Sequence, residues 1–393
     1  MNIVNYLNFS ALQERISQGY VNVRHHKKLP LDIYCYSKSA TFDNVWDEVT
    51  CKTRGLIVHS TTGEIIARPF EKFFNLGQTG MPEYSRENLP AGPPVITDKL
   101  DGNMITLYPY DGRWFAASKG SFHSEHVDWA NVWLVKNCPK QDWPKGYTPV
   151  FEMIAEEVEH HVVHYGKAAS GLYLLALINN ETGEEMENLG PWSYKNNIDA
   201  VPLCAIDLQG ALSENLKNAE GYVLAWSRPG QSPFRVKVKF TDFLRLQRLV
   251  HHTGPKEILD YMSRPELRCY LEEVLNPATS HPVFIQYVHQ WQMRFNNLFS
   301  AVYGSARMWL EVVQAELGGA PRKAYAEEIK THGYPGVMFA MLDADGSPAS
   351  QEKIHKLVWK EVAKLIPAED DFHGLVTRAV VKIHGGNTCP EVQ

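Results

Sequence analysis

Alternating apolar and polar residues predict short strands in the first 240 residues of the chain. These strands are residues 31–36, 54–59, 64–68, 104–108, 113–118, 150–154 and 172–177. The clearest hairpin joins residues 104–108 to 113–118 through Asp111-Gly112, because such a pair suits a tight two-residue turn. The segment before residue 31 is polar, and only residues 11–16 in it have the spacing of an amphipathic helix.

The apolar spacing changes to that of helices after Thr241. Residues 243–249 open as a helix, residues 283–317 show no strand alternation, and residues 351–366 place Ile354, Leu357, Val358 and Val362 on one face. A further helix is predicted at residues 123–137, within the strand-rich part. The sequence therefore predicts an α+β domain with antiparallel sheets over residues 1–245, an all-α C-terminal domain over 246–385, and a disordered tail over 386–393.

Composition and charge narrow the class of protein. The 393 residues are 44% hydrophobic and 21% charged, which is typical of a globular domain. A net charge of −6 argues against non-specific grip on long duplex DNA, so any nucleic-acid contact should be local, at a strand end. Six scattered cysteines without a C-x-x-C pair favour reduced thiols. With no long apolar run and no signal segment, we expect a cytoplasmic protein without a membrane partner.

The candidate nucleophile is Lys99, in the stretch Lys99-Leu100-Asp101-Gly102. It follows an apolar run and precedes a strand, and Gly102 would let a phosphate approach the backbone closely. Such a short motif is weak by itself, because a surface lysine before a turn explains it equally well.

A second basic pair, Lys237 and Lys239, stands two residues apart in a strand pattern. Both lysines should point to one face while Val236, Val238 and Phe240 point to the other. Nearby cations depress the pKa of a lysine amine, which must be neutral to attack phosphorus. The pair could serve Lys99 in this way, or be solvated lysines on an ordinary strand.

These motifs gain weight from their order along the chain. The ordered set is Thr53-Arg54-Gly55, Arg68-Pro69-Phe70-Glu71-Lys72-Phe73-Phe74-Asn75, Lys99-Leu100-Asp101-Gly102, Ser118-Lys119-Gly120-Ser121, Phe151-Glu152, Glu220-Gly221-Tyr222-Val223 and Lys237-Val238-Lys239. It resembles the covalent nucleotidyltransferases, namely ATP-dependent DNA and RNA ligases and mRNA capping enzymes. The flanks at residues 71–76, 118–121 and 217–220 are most similar to the RNA ligase 1 family of phage T4. The resemblance covers residues 30–245, and its motif set is highly specific.

The resemblance implies a nucleotidyltransferase (ligase-type) domain that uses ATP and Mg²⁺, with Mn²⁺ as an alternative. Lys99 would take AMP from ATP and pass it to an RNA 5′-phosphate, after which a 3′-hydroxyl seals the strand. Lys237 and Lys239 would neutralise the α-phosphate, Glu152 and Glu220 would hold ribose hydroxyls or waters on the metal, and Asp101 would orient the lysine or such a water. The other implied nucleotide or RNA-end contacts are Tyr36, Arg54, Lys72, Phe74, Gly102 and Lys119.

The chain departs from the family pattern at three positions. His160 or His161 stands where an arginine is common, Phe243 replaces a tyrosine, and Glu266 is the nearest candidate for a C-terminal metal-linked acid. His160 and His164 also have the spacing of a helical zinc pair, although the valines around them favour a strand.

The resemblance implies RNA ends as partners, among them a broken tRNA loop chosen by the helical domain, and a functional partnership with an end-healing kinase/phosphatase. In a phage-encoded protein the location would be the host cytoplasm. Two alternatives stay open. A DNA ligase or capping enzyme carries a β-barrel after the lysine pair, where this chain becomes helical. A catalytically silent RNA-end-binding protein would not need every key position filled.

Overall fold

The computed structural model describes residues 1–155, 158, 162–277, 280 and 282–365. The fold divides into two compact units, Met1–Arg245 and the residues from Leu246 onward. Each unit has its own hydrophobic core. No helix in the described part of the chain is both long and apolar enough to span a membrane.

Strands build the first unit. In chain order they are β1 (Val21–His25), β2 (Leu31–Tyr36), β3 (Arg54–His59), β4 (Ile65–Ala67), β5 (Phe74–Asn75), β6 (Val95–Asp98), β7 (Asn103–Tyr110), β8 (Arg113–Ser118), β9 (Tyr147–Ile154), β10 (Gly171–Asn179), β11 (Gly221–Arg228) and β12 (Gln231–Lys239). They form three four-stranded sheets with the orders β1-β2-β3-β4, β10-β9-β7-β8 and β5-β12-β11-β6. Among these strands the pairing is antiparallel, apart from the parallel pair β5–β12.

Short helices pack around the sheets, and helices alone form the second unit as described. They are α1 (Ile3–Tyr6), α2 (Phe9–Ser17), α3 (Lys38–Phe42), α4 (Glu48–Lys52), α5 (Glu125–Asn137), α6 (Gly190–Asn196), α7 (Leu208–Ser213), α8 (Thr241–His252), α9 (Pro255–Ser263), α10 (Arg268–Val274), α11 (Pro282–Glu316), α12 (Arg322–Ile329), α13 (Pro335–Leu342) and α14 (Pro348–Ala363). The predicted α+β fold with antiparallel sheets and a helical C-terminal region is therefore confirmed.

The hairpin of β7 and β8 has the predicted turn. Asp111 and Gly112 both have positive φ, 47° and 71°, as a two-residue turn between twisted strands requires. The strand β1 was not predicted. It is an edge strand with one fully buried valine, Val21, so its alternation is too short to stand out from the polar segment around it.

The helix α14 shows how a cap sets a boundary. The Ser347 hydroxyl accepts the backbone N–H of Ser350, and Pro348 occupies the first turn, so the helix begins three residues before the predicted start at 351. Its buried face consists of Ile354, Val358 and Val362, as the spacing predicted. The predicted end at residue 366 and the tail 386–393 lie outside the described residues.

The cysteines within the described residues are free thiols, as predicted. They are Cys35, Cys51, Cys138, Cys204 and Cys269.

Candidate active site

Lys99 lies where the chain passes from the third sheet to the second. β6 ends at Asp98 and β7 begins four residues after Lys99, in the neighbouring sheet. The Lys99 backbone N–H donates to the Gly221 carbonyl at 2.8 Å, which extends the β6–β11 pairing by one residue. The Gly102 N–H donates to Glu152 Oε1 at 3.1 Å. The short connection is thus fixed at both ends, and with it the base of the lysine side chain.

Gly102 is required for packing. A Cβ at this position would stand 2.3 Å from the Met153 carbonyl oxygen and 3.0 Å from Glu152 Cγ, and backbone cannot yield at that distance. The predicted reason for the glycine was the approach of a phosphate. The structure supplies a different one, namely the contact with β9.

Glu220 joins two of the lysines that the sequence singled out. Its Oε2 lies 2.7 Å from Lys99 Nζ and its Oε1 lies 2.9 Å from Lys239 Nζ. The carboxylate is only 4% exposed, so both oxygens need such partners to offset desolvation. Gly221 allows this placement, because a Cβ there would meet the Val238 carbonyl oxygen at 2.0 Å. Glu220 is therefore a buried bridge between strands rather than a surface acid beside a turn.

The strand β12 alternates as predicted. Val236 and Val238 are buried in the core, while Lys237 and Lys239 share the opposite face. Lys237 Nζ lies 4.5 Å from the centre of the Phe73 ring. Burial lowers the pKa of Lys237 well below its usual range, and the charges of Arg54, Lys72 and Lys99 act in the same direction. The cluster of cations around this buried amine therefore favours the binding of an anion beside it.

The Glu152 carboxyl faces the same cations from the second sheet. Burial raises its pKa to about 7; the charge of Lys99 opposes this rise, and Glu220 adds to it. Near neutral pH, Glu152 therefore exists in both protonation states, which is the condition in which a carboxyl exchanges a proton or takes up a cation readily.

The raised pKa makes stability depend on pH. A carboxyl whose pKa is higher in the folded state stabilises the fold fully below its unfolded pKa, and that contribution is lost as pH rises through about 7. Glu152→Gln has no such loss. We expect the free energy of unfolding of this variant, relative to that of the wild type, to rise by up to about 3 kcal/mol between about pH 5 and about pH 8.

Urea unfolding at the two pH values measures this difference. The exposed Glu187→Gln is the matched control and should track the wild type. An equal wild-type-to-variant difference at both pH values would contradict the assigned environment of Glu152.

A cavity of about 1520 Å³ lies beside these groups in the first unit. Seven of the predicted site residues line it, and they are Tyr36, Arg54, Lys99, Gly102, Lys119, Glu152 and Lys237. Five others lie outside its lining, and they are Lys72, Phe74, Asp101, Glu220 and Lys239. Glu220 contacts the cavity-lining Lys99, and Lys239 in turn contacts Glu220.

Phe74 does not lie in the cavity, contrary to the expectation that it stacks on a nucleotide. It pairs with Val236 in the parallel β5–β12 contact and is buried against Trp46 and Tyr84. Because strand side chains alternate, Phe73 points to the other face, lines the cavity and meets Lys237. Phe73, one position earlier, is therefore one of the aromatic residues that line the cavity, together with Tyr36.

The Asp101 carboxylate is directed at the backbone. Its Oδ2 accepts the N–H groups of Val162 and Val163 at 2.7 and 3.0 Å, and its own N–H donates to the Tyr165 hydroxyl at 2.6 Å. This residue ties the Lys99 connection to a neighbouring loop. These bonds fix the backbone two residues after Lys99.

Lys72 is held among aromatic rings. Its Nζ lies 4.8 to 5.5 Å from the ring centres of Tyr36, Trp46 and Phe74. Burial lowers the pKa of Lys72. Burial also tends to raise the pKa of the Tyr36 hydroxyl, but Lys72, Lys119 and Arg54 outweigh it and leave that pKa below its usual value. Lys119 Nζ donates to the same hydroxyl at 3.3 Å.

Metal candidates are few in the described residues. No group of three or more His, Cys, Asp or Glu side chains there could hold a metal ion. The carboxylate chemistry of Glu152 suits Mg²⁺, which keeps most of its waters, whereas both oxygens of Glu220 are taken by lysines. Glu266 lies exposed on the turn Pro265–Leu267 of the second unit. His160 and His161 lie outside the described residues, and so does the partner that a zinc pair with His164 would need.

Comparisons with known proteins show similarity to RNA ligases. Residues 52–242 match the RNA ligase family. A candidate RNA ligase of Thermovibrio ammonificans is 29% identical over 239 residues, which are 58% of this chain and 60% of that protein. A candidate bifunctional polynucleotide kinase/RNA ligase of Autographa californica nuclear polyhedrosis virus is 28% identical over 162 residues, 35% of this chain and 22% of that protein.

An archaeal ATP-dependent RNA ligase of known structure is 13% identical, with 96% of each chain covered and a TM-score of 0.41. The chain spans less than two thirds of the length of each of the two sequence relatives, the Thermovibrio protein and the viral protein. Residues 52–242, just under half of the chain, hold Lys99, Glu152, Glu220 and both lysines of β12, and this segment is similar to RNA ligases of the phage T4 RNA ligase 1 type.

Proposed function

We propose that this chain is an ATP-dependent RNA ligase that joins RNA 5′-phosphate and 3′-hydroxyl ends through a lysyl-AMP intermediate. One observation supports this most strongly. The Lys99 amine lies at a cavity, paired through Glu220 with Lys239 and close to Lys237, in a segment that matches the RNA ligase family. These are the groups that nucleotidyl transfer to a lysine requires.

In the first step Lys99 Nζ attacks the α-phosphorus of ATP. Glu220 Oε2, at 2.7 Å, is placed to accept the proton that the amine must lose. A nitrogen–phosphorus bond forms, the bond from the α-phosphorus to its bridging oxygen breaks, and pyrophosphate leaves with the electron pair. Lys237 and Lys239 stabilise the negative charge that develops on the phosphate, as fixed charges in a water-poor site do effectively.

In the later steps the AMP passes to the RNA 5′-phosphate, and the 3′-hydroxyl displaces it. Arg54 and Lys119 line the cavity and would hold the triphosphate first and the RNA end afterwards. A divalent cation, Mg²⁺ or Mn²⁺, would be held by Glu152 through water and would neutralise phosphate charge. Lys72, which lies against the Tyr36 ring, adds positive potential near this end of the cavity.

We also propose that residues 246–385 choose the RNA, with a broken tRNA loop as the candidate substrate. This region holds nearly equal numbers of basic and acidic residues, so choice there would rest on shape. The match to a candidate polynucleotide kinase/RNA ligase supports a functional partnership with an enzyme that heals RNA ends.

A chain that ends near residue 255 tests the division of roles. Every residue assigned to nucleotide chemistry precedes Thr241, so the shortened chain should still form the AMP adduct. It should lose its preference for a nicked stem-loop over a linear strand. The ratio of loop to linear ligation measures this, with the full chain as the reference. An unchanged ratio would place specificity in residues 1–245.

The activity itself is tested with ATP, a divalent cation and a 5′-phosphorylated oligoribonucleotide. We expect sealed products, and none from the same oligonucleotide with a 5′-hydroxyl. Sealing of DNA ends in preference to RNA would contradict the proposal, as would RNA binding without any sealing.

A further inference from the structure

Two cations at the outer end of the cavity have no role in the chemistry above. Arg24 lies on the edge strand β1, and Lys38 begins α3 two residues after Tyr36. Both side chains are exposed, and both line the cavity that contains Lys99. Asn22 lies two residues before Arg24, on the same face of β1, and lines the cavity as well.

Arg24 continues a row of positive charge that starts at the reaction centre. Arg54 lies on β3 and pairs in register with Cys35 on β2, the strand between β3 and β1. The charges of Lys119, Arg54 and Arg24 all act on the buried Cys35 thiol and oppose the rise that burial causes in its pKa. The three cations therefore lie around one point of the sheet, and Arg24 is on its edge strand.

Some cations of the cavity have acidic partners, and Arg24 and Lys38 have none among the described residues. Arg235 is paired with Glu185, and Lys99 with Glu220, inside the same cavity. Within the described part of the chain, neither Arg24 nor Lys38 has an ion pair or a side-chain hydrogen bond. An unpaired arginine and an unpaired lysine facing one cavity form a site for phosphate groups.

The size of the cavity indicates more than one nucleotide. Small-molecule sites are usually about 300–1,000 Å³, and this cavity is about 1520 Å³. β1 and β3 are two strand spacings apart, so Arg24 and Arg54 are anchored roughly 10 Å from each other across the sheet. Two long side chains anchored at this separation can contact successive phosphates of one strand.

We propose that Arg24 and Lys38 bind the phosphodiester backbone of the single-stranded RNA whose 5′ end is held at Arg54 and Lys119. This inference rests on the proposed function, because it takes the cavity to be the place where an RNA end meets Lys99. It adds a strand-binding track on the N-terminal sheet, two strands away from the nucleotide chemistry.

Fluorescence anisotropy with a labelled, 5′-phosphorylated oligoribonucleotide tests the track without ATP. The variant Arg24→Ala/Lys38→Ala should bind about tenfold more weakly or worse, because it loses two phosphate contacts. The slope of log affinity against log salt should shrink by about 1.4, since each contact to a single strand contributes about 0.7. The matched control is Lys27→Ala/Lys28→Ala, two exposed lysines in the adjoining β1–β2 connection that do not line the cavity.

Three outcomes would overturn the inference. The Arg24→Ala/Lys38→Ala variant could bind RNA with the affinity and salt slope of the wild type. The ATP concentration dependence of adduct formation could shift, which would assign these cations to the ATP phosphates. Equal weakening in both double variants would show a general charge effect. A protein that binds RNA through Arg24 and Lys38 yet never forms an adduct would contradict the proposed function alone, so the two failures are distinguishable.

Discussion

Lys99→Ala is expected to form no AMP adduct and to seal no 5′-phosphorylated RNA. The variant loses the only amine that contacts both the cavity and the Glu220 carboxylate in this arrangement of the described residues. It should still join RNA that already carries a 5′-adenylate, because that step does not need the nucleophile. Gel analysis of ligation with 5′-phosphate and pre-adenylated RNA measures the two steps separately.

Lys99→Arg is the matched variant. A guanidinium keeps the positive charge next to Glu220 but stays protonated, so it cannot attack phosphorus. It should fail in adduct formation as completely as the alanine variant. An arginine variant that still gains AMP would mean that another lysine is the nucleophile.

Lys237→Ala and Lys239→Ala are each expected to slow adduct formation by about 100-fold or more. The loss of one fixed charge at a developing negative charge commonly costs on the order of 3–4 kcal/mol in transition-state stabilisation. Lys237 neighbours the cavity directly, while Lys239 acts through Glu220. Single-turnover rates at saturating ATP measure the effect.

Lys217→Ala is the control, because Lys217 is exposed, precedes Glu220 by three residues and does not line the cavity. Lys239→Ala also removes one of the two partners of a buried carboxylate, so its thermal unfolding is recorded beside its rate. Near-normal rates in both lysine variants would favour solvated lysines on an ordinary strand.

The strands and the helices with strong local signals could be predicted from the sequence. The Asp111-Gly112 turn and the buried face of α14 each depend on a few neighbouring residues, so their patterns are complete within one segment. β1 could not be predicted in this way, because pairing with β2 makes it a strand and its own alternation is short.

The site was predictable as a set of residues but not as a set of contacts. Glu220 holds Lys99 and Lys239, and Lys99 lies more than 100 residues before the β11–β12 hairpin that carries the other two. Asp101 turned out to bind backbone N–H groups from a loop more than 60 residues away. That Phe73 rather than Phe74 faces the cavity follows from side-chain alternation only once the pairing of β5 with β12 is known.

The central claim is that Lys99 becomes covalently adenylated, and intact-protein mass spectrometry tests it most directly. The wild-type chain, incubated with ATP and Mg²⁺ and then unfolded, should gain the mass of one AMP, and peptide mapping should place it on Lys99. Addition of pyrophosphate to the folded protein should remove the AMP, because the first step is reversible. An unchanged mass, or an adduct on any other residue, would contradict the account.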